Sequence, residues 1–98
     1  MTQRVTARKS RTDVFADLGF NAAEAENLRI RSAMMRAIIG HVRPNTLTLA
    51  RAAKLFDVSQ ARMSDLLRGK IYLFSIDNLV NLLAAAGLRV DVRVKKVA

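Results

Sequence analysis

From Asn21 to Gly87 the chain keeps a helical hydrophobic period, and only after Gly87 does that period change. This order constrains the fold more than any other feature: a series of short helices, with at most one strand at the end. Asn21 is a helix N-cap followed at capping-box spacing by Glu24. Leu28, Met35, Ile38, Ile39 and Val42 then recur at helical spacing, with Met34 and Met35 as core filler. Pro44 stops this helix, because the residue before a proline disfavours helical angles. Thr46 or Thr48 caps a second helix with Leu49, Ala52, Ala53 and Phe56 on its buried face. Ser59 caps a third, with Met63, Leu66 and Leu67 inward and Gly69 as its stop. Ile71 to Phe74 is an apolar connector. Ser75 caps a fourth helix that turns Ile76, Leu79, Val80, Leu83 and Ala86 inward and ends at Gly87. Leu88, Val90, Val92 and Val94 then alternate with Arg89, Asp91, Arg93 and Lys95, which is the period of a strand.

The 98 residues are 51% hydrophobic, which suits one modest globular core. There is no Cys and only one His, His41, so disulfide frameworks, thiolate or His-cluster metal sites and Cys-His catalysis are all excluded. His41 itself is expected in solvent near the end of its helix, and Tyr72 in the core or an interface. The longest uncharged stretch, Asn78 to Leu88, is far shorter than the ~20 apolar residues of a membrane span. No apolar run follows the basic start of the chain, so it does not read as a secretory signal.

Seventeen Lys and Arg against eight Asp and Glu give a net charge of +9, the balance of a chain that meets a polyanion. Residues 1–12 carry Arg4, Arg8, Lys9 and Arg11, with almost nothing to bury, and read as a flexible basic tail. Residues 13–98 form the domain. Its opening DVFADLGF stretch reads as a short helical turn that plugs a groove.

Thr48 to Lys70 reads TLARAAKLFDVSQARMSDLLRGK. Two short helices meet at the break Phe56-Asp57-Val58, and small Ala53 lets the second cross the first closely. The second keeps Gln60, Ala61, Arg62, Ser64, Asp65 and Arg68 outward. This is the physical logic of a helix-turn-helix, whose second helix enters the DNA major groove by its N-terminal end. Gln bonds adenine and Arg bonds guanine in bidentate fashion; Asp65 accepts from cytosine or orients Arg62 or Arg68. The expected base readers are therefore Gln60, Arg62, Ser64, Asp65 and Arg68. Thr48, Ser59, Arg43 and Lys70 are expected on phosphates, and the tail arginines and Lys9 on phosphates or the minor groove. An ordinary helical hairpin shares the same periodicity; the polar face and the charge favour DNA.

The stretch resembles the Xre/Cro-type helix-turn-helix regulators in Ala53, Val58, Ser59-Gln60 and Leu66-Leu67-Arg68-Gly69. VFADLGF ahead of the first helix, FSIDNLVNLLAAAG after the third and the alternating tail resemble the subgroup that includes HigA-like antitoxins. The chain departs from that pattern at Leu49, where the family has Gln, at Asp57, where it prefers Gly, and at Met63, where it has Val or Ile. The resemblance implies a mainly α, four- to five-helix lambda-repressor-like domain with a C-terminal strand at 88–96. It also implies a bacterial or phage protein of the cytoplasm, acting at the nucleoid.

A lone strand leaves its backbone unpaired, so Leu88, Val90, Val92 and Val94 are expected to pair with a second copy about a two-fold axis. Augmentation of a partner protein's sheet is the alternative. The leading expectation is a homodimeric, sequence-specific repressor of its own promoter, with no cofactor and no metal. The alternative is an antitoxin that also neutralises a small ribonuclease toxin, against which the +9 charge argues, since RNA-gripping toxins tend to be basic. An enzyme has no nucleophile, base or metal constellation to stand on. RNA binding lacks a stacking platform, with four Phe and one Tyr, most at apolar positions.

Overall fold

The computed structural model describes residues 19, 21–43 and 46–97. They form α1 (Ala22–Val42), α2 (Leu49–Leu55), α3 (Gln60–Leu67), a 3-10 turn (Ile71–Leu73) and α4 (Ile76–Ala85). Helix α1 packs against α4, α3 and the 3-10 turn, and α2 packs against α3.

Each helix begins where a short polar side chain satisfies an otherwise unpaired backbone N–H. Asn21 Oδ1 accepts from the Glu24 N–H at 2.8 Å, while the Glu24 carboxylate accepts from the Asn21 N–H at 3.2 Å. Thr48, not Thr46, caps α2, its hydroxyl accepting from the Arg51 N–H at 3.1 Å. Ser59 does the same for α3 through Arg62, and Ser75 for α4 through Asn78, each at 3.0 Å.

The helix ends share one device. Beyond α2, α3 and α4 the backbone turns left-handed at Asp57, Gly69 and Gly87. In each case the next N–H reaches back five residues: Val58 to Ala53, Lys70 to Asp65 and Leu88 to Leu83. These are Schellman closures, which satisfy carbonyls that the helix leaves free. The same reach-back, Leu47 to Val42, follows α1 beside left-handed Thr46.

Phe56, Phe74, Ile38, Met63, Leu66 and Leu79 form the centre of the core, joined by Met34, Met35, Val42, Ala52 and Ala53. Among the described residues no polar or charged residue is buried. The connector between α3 and α4 is tied down by half-buried Arg31 of α1. Its Nη1 donates to the Ile71 and Phe74 carbonyls at 3.1 and 3.2 Å, while its Nε donates to Asn27 Oδ1 at 2.6 Å.

Several positions differ from expectation. Leu49 and Val80 are each 39% exposed rather than buried: Leu49 is the first residue of α2, at the open end of the helix, and Val80 lies at the margin of the apolar arc of α4. Tyr72 is 69% exposed and is not a core residue. His41 is half-buried, with its ring edge-on to Phe56 at 6.3 Å between centroids. The strand expected over 88–96 is not formed: residues 88–97 take no regular secondary structure. A strand exists only through a ladder partner, and no described segment pairs with this one. Leu88 still packs against the core, whereas Val92 and Val94 stand 82% and 91% exposed. The tail 1–12 and all of the groove plug but Gly19 lie outside the described residues. Among the described residues no helix is long and apolar enough to cross a membrane.

Candidate nucleic-acid interface

Helix α3 is fixed from beneath by Met63 and Leu66, both fully buried against α1 and α2. At 100° per residue, Gln60, Ala61, Ser64, Asp65 and Arg68 then share one outward arc about 140° wide. Gln60, Ala61 and Arg68 are exposed, and Ser64 and Asp65 half-buried. Small Ala61 and Ser64 at the middle of the arc leave room for close approach of a flat or grooved surface. The break before α3 is held by two hydrogen bonds, Asp57 N–H to the Lys54 carbonyl at 3.2 Å and Val58 N–H to the Ala53 carbonyl at 2.9 Å. Ala53 is 4% exposed at the crossing of α2 with α3, where a larger side chain would force the helices apart.

The expected base readers do not all stand alike. Gln60 and Arg68 project from the two ends of the helix, Gln60 as its first residue and Arg68 as its C-cap. Asp65 pairs with Lys70, Oδ1 to Nζ at 3.4 Å, and not with Arg62 or Arg68. Arg62 lies about 60° round from Asp65, off the arc and toward α4. Its guanidinium carbon sits 4.0 Å above the centre of the Phe74 ring, and its Nη2 donates to Asn78 Oδ1 at 3.3 Å.

Of the expected phosphate ligands, Arg43, Thr48, Ser59 and Lys70 are all exposed. The Thr48 and Ser59 hydroxyls use their oxygens as caps, which leaves each O–H free to donate. Arg51 and Lys54 are exposed on α2 as well; their place opposite Ala52 and Ala53 in the helical period is a sequence signal that marks them as solvent-facing. The tail residues Arg4, Arg8, Lys9 and Arg11 lie outside the described residues. Among the described residues, no group of His, Cys, Asp and Glu is arranged to hold a metal ion. Arg31 was not singled out by the sequence pattern, and Asn78 only as the residue three after the Ser75 cap, the capping-box position that it occupies. Both bond across gaps of more than fifteen residues to loops or helices that only the folded chain brings near.

Two short helices crossing at a small residue, a Schellman turn, and an outward arc of short polar and basic side chains define a helix-turn-helix module. The chain belongs to the helix-turn-helix domain family, whose model matches residues 14–95. DNA is the partner for which this architecture is built. A search of curated proteins found no match.

Proposed function

We propose that the chain is a sequence-specific transcriptional regulator that binds an operator as a homodimer and represses its own promoter. The observation that carries this reading is the outward arc of α3, with Ser59 exposed at its start, Lys70 exposed just beyond its end, and Arg43 and Thr48 exposed at the end of α1 and the start of α2. In this reading Gln60, Ser64, Asp65 and Arg68 face base edges, and Arg43, Thr48, Ser59 and Lys70 hold phosphates. The +9 charge supplies the sequence-independent attraction, with Arg4, Arg8, Lys9 and Arg11 adding to it.

Support for the dimer comes from the tail. Val92 and Val94 are exposed apolar residues in an alternating segment without a ladder partner among the described residues. The same segment of a second copy, antiparallel about a two-fold axis, would cover the apolar face and bond the free backbone. It would also present two copies of α3, which suits a palindromic site.

Selection of bound duplexes from a random pool tests the whole reading. Enrichment of a dyad with half-sites about 10 base pairs apart, or a multiple of that, is the expected result. Flat enrichment would reduce the protein to an electrostatic binder. The antitoxin alternative draws on resemblance, and co-purification with the product of an adjacent small gene is its test.

A further inference from the structure

The side chain of Arg62 starts on the helix that meets DNA and ends on the helix behind it. Its guanidinium covers the buried Phe74 ring and donates to Asn78 Oδ1. That same oxygen accepts from the Ser75 N–H at 3.2 Å, and the Asn78 N–H donates to the Ser75 hydroxyl at 3.0 Å. Arg62 is also the residue whose backbone N–H is taken by the Ser59 cap. A continuous chain of contacts therefore runs from the cap of α3, through Arg62 and Asn78, to the cap of α4.

We infer that Arg62 is a positioning residue for DNA recognition: it bolts the first turn of α3 to the first turn of α4 and so sets the angle at which the arc meets the groove. The inference rests on the reading of α3 as the DNA-reading helix. The chemistry favours arginine specifically. A planar guanidinium stacks on a ring with its face while donating in its plane, which a lysine ammonium cannot do. Recruitment of Arg62 to a base or phosphate would require leaving the ring, uncovering Phe74 and removing a donor from Asn78.

The test uses the full chain, with the duplex that the wild type selects. Arg62→Ala is expected to weaken that duplex about tenfold, the scale of a partly desolvated cation–π contact. The loss should spread evenly over all base-pair positions. The slope of log affinity against log salt and the affinity for unrelated DNA should both stay at wild-type values. Arg62→Lys should behave like Arg62→Ala despite keeping the charge, and Asn78→Asp, which keeps both acceptor roles, should bind like wild type. In proton NMR the Arg62 δ-methylene should lie upfield under the Phe74 ring and stay there when duplex is added. Relaxed preference at one base pair, or a salt slope lower by about one, would make Arg62 a base or phosphate ligand and overturn the inference. So would δ-protons at random-coil positions with duplex bound, or a Lys variant that binds normally. If the wild type selects no sequence, the regulatory reading fails, and the free-protein NMR shift still decides whether the bolt exists. Urea unfolding of each variant shows that it is folded; should Arg62→Ala not fold, Arg62→Lys and Asn78→Asp carry the comparison.

Discussion

Thr46 and Asp57 hold φ angles of 51° and 59°, in the left-handed region where a Cβ crowds the following carbonyl. The equivalent closures at Gly69 and Gly87 avoid that crowding. The two strained residues are not equal. Asp tolerates the region through its short polar side chain, whereas a β-branched Thr is a rare occupant. Thr46→Gly should therefore stabilise the protein by about 1 kcal/mol, a rise in melting temperature of roughly 4–8 °C, and Asp57→Gly by less. Thermal unfolding followed by circular dichroism checks the order; a larger gain at Asp57 would contradict it. Asp57 shows how far local sequence carries. Its residue type and its place after Phe56 announce a turn, and its left-handed φ follows from the reach-back of Val58 to Ala53.

The caps make each helix legible element by element. Asn21, Thr48, Ser59 and Ser75 act through backbone groups three residues away, so local spacing is enough to find them. Ser59 permits a separation of folding from binding. Ser59→Asp keeps an N-cap and should leave stability near wild type, while its carboxylate repels phosphate and lowers DNA affinity. Ser59→Ala should cost about 1 kcal/mol of stability. Paired urea titrations and mobility shifts read both. Arg31 belongs to a different category, because its partners are carbonyls at Ile71 and Phe74. Replacing it with Met leaves those carbonyls without their charged donor and should cost about 2 kcal/mol, measured by urea unfolding. In the sequence Arg31 is one more charge on a long helix; nothing in its neighbours announces a partner some forty residues away.

At the scale of the whole molecule, charge and association are the measurable quantities. Arg43→Ala or Lys70→Ala should each lower the salt slope of DNA binding by about one without altering the preferred sequence. Lys70→Ala also releases Asp65 from its ion pair, so it should cost more affinity than Arg43→Ala at low salt. In sedimentation equilibrium the wild type should run at twice the mass of one chain, and Val92→Asp with Val94→Asp at the mass of one. A tail variant that still runs as a dimer would remove the strand from the interface.

Helix number, starts, stops and the outward arc of α3 were determined by the sequence itself, because capping, periodicity and turn chemistry act over a few residues and leave their pattern in the letters. The sequence also marked the tail's alternation, but a strand is a property of two segments, and no described segment supplies the second. Only the tertiary structure decided where the long polar side chains go. Arg62, Arg31 and Lys70 each have reach enough to meet several partners, and the packing of α1, α3 and α4 leaves Phe74 with Asn78, the connector carbonyls and Asp65 as the ones within bonding distance.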